Sequence, residues 1–366
     1  MIKIFSKNQQ YIDWILYLAI FFVVVLGLVV IYSLAFLMGQ KDFFWNQIVY
    51  ASIGFGVMIA ISFLDYRLLK NISIPLYIIG LILLVLVLLF GKSTFGATRW
   101  IEFKFFQLQP SEIMKFMIIV FLASFLSQNE ELRLKHFIYI IVEIGLPVFL
   151  VILQPDIGTA LVFIFISIMM LIAHGLKRNQ IVGLLIFIGL AIPISWKYIL
   201  RGYQKSRIFN FINPQNDPFH QGYNVLQSII ATGSGMLFGR GLGKGIQSQL
   251  KFLPVPYTDF IFAALAEQLG YVGVIVLIML FCVIFWRVLK IAKSASDQFG
   301  YYLCIGLFSM ILFQFLINIG MNIGLAPVTG IPLPLISYGG TSLIITLLTF
   351  GVVQSVSIRH KKMFFD

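Results

Sequence analysis

From Trp14 to Met38 the chain runs without one charged residue, and apolar runs of similar length recur as far as residue 357. A hydrocarbon core about 30 Å thick takes about 20 apolar residues per helical span. Ten spans can be drawn, at 14–38, 45–64, 72–90, 111–127, 137–153, 157–173, 180–199, 258–286, 300–325 and 336–357. In lipid every backbone polar group has to be satisfied internally, so such runs predict helices. The expected fold is therefore an all-α integral membrane protein of about ten transmembrane helices, with residues 1–366 as a single polytopic membrane domain. Composition agrees: 11% of residues are charged and 60% hydrophobic, whereas soluble domains carry roughly 25% charged residues. The first run is too long for a signal-peptide core and lacks a small-x-small cleavage site, so it reads as a retained helix. The break at Gln154-Pro155-Asp156 separates two spans, because Pro155 ends the helix before it. One helix over 137–173 would be about 55 Å long, well beyond a bilayer core.

The net charge of +12 would suggest nucleic acid in a soluble protein. Here no basic run is dense enough, no nucleic-acid role is expected, and the first reading is a topological bias. With the N-terminus inside, the short inner segments hold Lys3, Lys7, Arg67, Lys70, Arg133, Lys135, Lys177, Arg178, Arg287, Lys290, Lys293, Arg359, Lys361 and Lys362. Both termini are thus expected on the cytoplasmic side. The outer bases gather in two extracytoplasmic loops, 91–110 and the large 200–257, where Asp217 is the lone acid among 200–257. Basic groups facing outward beside a bilayer suit an anionic partner such as a lipid phosphate, or ordinary headgroups.

Within 200–257, Val225, Leu226, Ile229 and Ile230 fall on one helical face, a pattern that suits a helix lying in the membrane interface. Gly233, Gly235, Gly239, Gly241, Gly243 and Gly245 follow, as flexible backbone near a ligand or as turns. The apolar segment 326–335 holds Pro327, Pro332 and Pro334 and reads as a re-entrant turn covered by protein. Cys282 and Cys304 lie inside apolar runs and read as small buried hydrophobic residues.

Ionisable groups at membrane depth are functional candidates. Glu112 and Lys115 stand three residues apart, on one helical face, after Ser111 as a candidate cap. They form either an ion pair that makes both tolerable in lipid or an anion-binding lysine oriented by its glutamate. Asp156 follows the Gln154-Pro155 break. Asp259 stands where the eighth span begins, as a carboxylate favoured by the helix dipole or as a base at the water–lipid boundary. Glu267 lies two turns deeper, lining a polar cavity or bracing the packing. Trp100, after Arg99, is an interfacial anchor or a sugar platform. The histidines His136, His174, His220 and His360 show no metal-ligand spacing.

Several of these positions sit in motifs that run in one order: Gly96-Ala97-Thr98-Arg99-Trp100-Ile101, Gln109-Pro110-Ser111-Glu112, Gln154-Pro155-Asp156-Ile157-Gly158-Thr159-Ala160, Tyr223 to Ser228 and Gln247-Ser248-Gln249-Leu250. Thr258-Asp259-Phe260-Ile261-Phe262-Ala263, Asn318-Ile319-Gly320-Met321 and Pro327 to Gly340 complete the set. The chain resembles the SEDS family (shape, elongation, division, sporulation) over residues 10–360, and the Gln-Ser-Gln run favours the rod-shape branch over the division paralogue.

The resemblance implies ten transmembrane helices in the bacterial cytoplasmic (inner) membrane, with the active site on the extracytoplasmic side. It implies a peptidoglycan glycosyltransferase that polymerises lipid II, the undecaprenyl-diphosphate-linked disaccharide-peptide, during cell elongation and maintenance of rod shape. The implied partners are a class B penicillin-binding protein that cross-links the product, and other elongation-complex proteins. The family's essential aspartate falls on Asp259, its loop tryptophan on Trp100 and its Glu/Lys pair on Glu112 and Lys115. Asp259 is then the catalytic base. Lys115, Arg99, Arg201 and Arg207 are expected around the leaving diphosphate, with or without a divalent cation (Mg or Mn), and Gln154 and Asp156 around the substrate. Many members read Leu-Pro-Glu-x-His-Thr-Asp before the aspartate. This chain reads Leu253-Pro254-Val255-Pro256-Tyr257-Thr258-Asp259, so Asp259 acts without that acid or histidine. A lipid-precursor flippase and a non-catalytic scaffold for wall synthases are the other two classes these features fit.

Overall fold

The structure is a computed structural model. It describes residues 12–359 except 38, 95–96, 103–106, 177, 179, 184–185, 187–188, 190–192, 194, 200–201, 213–220, 251 and 254. The helices are α1 (Trp14–Leu37), α2 (Lys41–Phe63), α3 (Leu68–Asn71), α4 (Ser73–Phe90), α5 (Pro110–Gln128), α6 (Leu134–Leu153) and α7 (Ile157–His174). They continue as α8 (Gly202–Ile212), α9 (Gln221–Ser234), α10 (Ile246–Gln249), α11 (Ile261–Lys293), α12 (Gln298–Asn322) and α13 (Gly340–Arg359). Nine of these, among the described residues, are long and apolar enough to cross a bilayer. They coincide with nine of the ten expected spans, and the chain is a multi-pass membrane protein. The remaining span, 180–199, lies in part outside the described residues and its described part closes on a short π-helical segment, Ser195–Ile199.

The 91–110 loop contains what hydropathy does not reveal, a small antiparallel sheet. β1 (Lys92–Thr94) pairs with β2 (Ala97–Glu102), and β2 with β3 (Gln107–Leu108). β3 leads directly into α5, whose buried face makes it the central helix of the bundle. The expected Ser111 cap is not formed. Pro110 occupies the first helical position behind Gln109, and the Ser111 hydroxyl is buried without a hydrogen-bond partner among the described residues. Proline there needs no amide donor, so the helix starts one residue before the serine is in place to cap it.

At the end of the bundle opposite Asp259, acids are paired with bases that join helices. Asp13 accepts from Arg287 at 2.7 Å, and its backbone accepts from Gln354 at 3.0 Å, joining α1, α11 and α13. Asp297 caps α12 through Gly300 and receives Tyr66 at 2.6 Å and Arg67 at 3.0 Å.

The Gly-rich stretch forms turns, as one of its two readings had it. It docks backbone to backbone on a break in α11. Gly270 sits at φ 67 and ψ −166, splitting the helix. The carbonyls of Met236 and Leu237 take the amides of Tyr271 and Val272, at 2.8 and 3.1 Å. Arg240 and Gly241 in turn give theirs to Glu267 and Gln268, at 2.9 and 3.1 Å. A Cβ on Gly239 would stand 2.2 Å from the Gln268 carbonyl, and one on Gly270 2.2 Å from the Gly239 amide. The Glu267 carboxylate completes the joint: it accepts from the Gln247 amide at 2.8 Å and the Ser248 hydroxyl at 2.6 Å. Glu267 therefore braces packing.

Two smaller readings are corrected. On α9 the inward face is Gly222, Val225, Ser228 and Ala231, while Ile229 and Ile230 face out, because small residues allow the closer approach to α11. Cys304 is buried as expected, but Cys282 lies on the exposed side of α11.

Gly270→Ala should lower the melting temperature of the detergent-solubilised protein, since the positive φ alone costs an L-residue roughly 1–2 kcal/mol and the Cβ has no space. Gly145→Ala, inside α6 with open space around it, should leave stability unchanged or raise it. Equal behaviour of the two would contradict the joint.

Candidate active site

Four chain segments meet around Asp259. The residue immediately precedes α11, and its backbone carbonyl is gripped by two asparagines of α12: Asn318 Nδ2 donates to it at 3.0 Å and Asn322 Nδ2 at 3.1 Å. Asn318 Nδ2 also reaches the Ile331 carbonyl at 2.8 Å. The amide of Asn318 thus joins the aspartate turn to the non-helical segment 326–335. That segment is re-entrant as its prolines suggested, with Ile331, Leu333 and Leu335 buried. The Ser337 hydroxyl donates to the Thr258 carbonyl and accepts from the Leu333 amide, both at 2.8 Å. Tyr338 gives its amide to Tyr257. From behind, Ser228 of α9 donates to the Asn322 side-chain oxygen at 3.1 Å, and that oxygen also takes the Ala263 amide. Sequence reading took Asn318 only as part of a motif and missed Asn322. The available signal was a row of amides four residues apart, Gln314, Asn318 and Asn322, on one face of an otherwise mainly apolar helix.

The Asp259 carboxylate faces Gly330, whose ideal Cβ would lie 3.6 Å from Asp259 Oδ2. Arg207, Arg99 and Asp156 stand within electrostatic reach of it. Asp259 keeps a little accessible surface, yet protein surrounds it closely enough that burial pushes its carboxyl above the usual value. The Arg207 and Arg99 guanidiniums pull it back, and the Asp156 charge adds to the rise. Arg99 pairs with Asp156 at 3.7 Å and donates to the Pro155 carbonyl. Asp156 caps α7 through Thr159, from the amide at 3.2 Å and the hydroxyl at 2.9 Å. Arg207 of α8 donates to the Val328 carbonyl at 3.3 Å.

Beside these groups lies a cavity of about 90 Å³ lined by Pro155, Gln204, Arg207, Val328 and Thr329 among others. Pockets that enclose drug-sized ligands run to about 300–1,000 Å³. This one has room for only a few small groups. Two buried polar atoms at the cluster, Arg99 Nε and Thr329 Oγ1, have no hydrogen-bond partner among the described residues, as expected where a ligand or water completes the set.

Of the residues singled out from sequence, Asp259, Arg99, Asp156 and Arg207 are brought together. Arg201 lies outside the described residues. Gln154 is buried and gives its amide to the Leu84 carbonyl at 3.0 Å, bracing α4. Trp100 follows Arg99 on β2 and pairs with Lys92 across the sheet, at the point where the β1–β2 register shifts. Glu112 and Lys115 pair at 2.6 Å with both side chains almost fully buried. No group of three or more His, Cys, Asp or Glu side chains converges as a metal cage among the described residues. Asp156 and Asp259 are the carboxylates at the cluster, with two guanidiniums near them, a donor set that suits an anion better than a cation.

The architecture and this cluster define a polytopic membrane protein with a cluster of carboxylates and guanidiniums at one end of its helix bundle. The chain belongs to the cell cycle protein family that groups FtsW, RodA and SpoVE, whose profile matches residues 13–362. It is 39% identical over 313 residues to the peptidoglycan glycosyltransferase MrdB of Escherichia coli K12, covering 85% of this chain and 84% of that protein. It is 38% identical to the stage V sporulation protein E of Bacillus subtilis, covering 94% and 96%. Among solved structures it resembles a chain from a peptidoglycan synthase complex that coordinates polymerization and crosslinking, with TM-score 0.82, 29% identity and coverage of 96% and 99%. It also resembles the rod shape determining protein RodA of Thermus thermophilus, with TM-score 0.72, 28% identity and coverage of 97% and 98%.

Removing one member of a buried pair strands the other charge and costs roughly 3–5 kcal/mol. Glu112→Ala should therefore lower the melting temperature clearly, and Glu112→Gln combined with Lys115→Met should regain most of the loss. A Glu112→Ala protein as stable as the parent would contradict the pairing.

Proposed function

We propose that the chain is a peptidoglycan glycosyltransferase that polymerises lipid II during elongation and maintenance of rod shape, with Asp259 as general base. The observation that carries the site assignment is the convergence of one desolvated carboxylate with two guanidiniums where the re-entrant segment meets α11. The acceptor sugar's 4-hydroxyl gives its proton to Asp259. Its oxygen bonds to the anomeric carbon of the lipid-linked donor as the bond from that carbon to the diphosphate breaks, with inversion. Negative charge grows on the diphosphate, and Arg207 and Arg99 stabilise it. Arg201 and Lys115 are further candidates for that role. Loss of one such preorganised donor typically costs about 10²–10³ in rate. A base with a raised pKa is stronger than an ordinary carboxylate, which favours proton transfer.

The site opens to the extracytoplasmic side in this reading, and both termini face the cytoplasm of a bacterial cell. The supporting observation is the concentration of Arg67, Lys70, Arg133, Arg178, Arg287, Lys290, Lys293 and Arg359 at the opposite end, where the positive-inside bias places the cytoplasm. The partner is a class B penicillin-binding protein, within a larger elongation complex. The likeness to a chain of a synthase complex supports that.

With purified lipid II and a partner lacking transferase activity of its own, the wild-type protein should give glycan ladders on gels and Asp259→Asn none, at equal stability. Ladders from Asp259→Asn would overturn the base assignment. Ladders from neither protein, with both complexes intact, would favour a flippase or a scaffold. The pH dependence gives a second check. Asp259 has to be ionised, so the rate falls as pH drops through its raised pKa. Asp156→Asn removes a charge that raises that pKa and should move the acid limb to lower pH. Arg207→Gln removes one that lowers it and should move the limb to higher pH, besides slowing the reaction. Limbs that stay in place in both variants would contradict the electrostatics.

A further inference from the structure

The turn docked on the α11 break exposes its apolar side chains rather than hiding them. Met236 is 80% exposed, Leu237 62% and Phe238 82%. Met236 is held at φ 47, a conformation that a side chain-bearing residue seldom adopts. At Gly235, Gly239 and Gly270 the turn and α11 already meet backbone to backbone, with no room for even a Cβ between them. The tip is therefore a rigid apolar protrusion.

Its position along α11 says what it meets. The exposed side of α11 is an apolar stripe of Tyr271, Val272, Ile275, Val276, Ile278 and Met279, and the turn bonds to the backbone at 271 and 272, where that stripe begins. At the other end Trp286, 58% exposed, carries Arg287 and Lys290 near its ring at 5.3 and 5.6 Å. An aromatic ring beside two cations marks a membrane interface. From Gly270 to Lys290 the helix rises about 30 Å, the thickness of the hydrocarbon core. With Trp286 to Lys290 at one interface, 235–240 lies at the other. Arg240 and Lys244 follow the tip and are exposed. Arg240 Nε donates to the Ser234 carbonyl at 3.1 Å, which holds the guanidinium beside the tip, and both cations are placed to reach lipid phosphates while the apolar side chains enter the acyl region.

We propose that Met236, Leu237 and Phe238 form a lipid wedge that enters the acyl chains of the leaflet at the Asp259 end, with Arg240 and Lys244 on headgroup phosphates. The wedge anchors α9, and through Ser228 and Asn322 the aspartate turn, against the bilayer.

The test is nitroxide accessibility in the full-length protein, in nanodiscs of zwitterionic and anionic phospholipid. A label at Phe238→Cys, with Cys282→Ser and Cys304→Ala, is compared with labels at Met279→Cys in the lipid stripe and Glu102→Cys in the sheet. Collisions with oxygen exceeding those with a water-soluble nickel chelate at 238, as at 279 and opposite to 102, are expected. A label at Leu237→Cys should behave likewise. Nickel collisions prevailing at 238 would mean a water-exposed tip and overturn the proposal. Low collision with both reagents would mean that protein covers the tip and would overturn it equally.

Discussion

The backbone carbonyl of Asp259 is the point on which the site hangs. Two buried amides, Asn318 and Asn322, converge on it, and each also serves another element. Asn318 holds Ile331 of the re-entrant segment, and Asn322 receives Ser228 of α9 and the Ala263 amide of α11. A buried hydrogen bond contributes only about 0.5–1.5 kcal/mol net, but leaving a partner unsatisfied costs about 1–3 kcal/mol. In a bilayer the alternative to this network is several unsatisfied groups at once. The turn is therefore fixed while its carboxylate stays clear of the clamp, facing Gly330 and the two arginines.

The two ends of the bundle handle charge differently. Opposite the site, Asp13 with Arg287 and Asp297 with Arg67 close ion pairs that lock helices together. At the site, Arg99 is shared between Asp156 and the field of Asp259, and its Nε has no hydrogen-bond partner among the described residues. Incomplete pairing is costly in a structural joint and useful where a diphosphate arrives, because the donors are already positioned when charge develops. The buried Glu112–Lys115 pair lies between these cases: it is closed here at 2.6 Å, on the central helix that β3 joins to the sheet carrying Arg99.

Much of this was legible beforehand, for physical reasons. Spans follow from apolar runs because lipid admits little else, and nine fall where hydropathy puts them. Asp259, Asp156 and Arg99 stand out because charge is scarce in such a chain. Neither the sheet between Lys92 and Leu108 nor the docking of 235–243 on Gly270 was legible, since both are tertiary pairings of short irregular segments. Six glycines read as flexible backbone or as turns; in the fold two of them, Gly235 and Gly239, mark a close backbone approach to α11. Asn322 escaped because an amide inside an apolar run looks like packing until its partner, more than sixty residues away in sequence, is known. The apolar stripe expected on α9 is split, with Val225 inward and Ile229 and Ile230 outward, because periodicity gives a face but not its neighbour.

The central claim is that Asp259 takes the proton, and its protonation can be followed directly. A pH titration of the infrared difference between wild type and Asp259→Asn isolates the Asp259 carboxyl, for comparison with the acid limb of the polymerisation rate on the same preparation. The account predicts that the carboxyl titrates above the ordinary carboxylate range, with a midpoint that coincides with the loss of rate. A carboxyl that stays ionised at a pH where polymerisation has already ceased would contradict it.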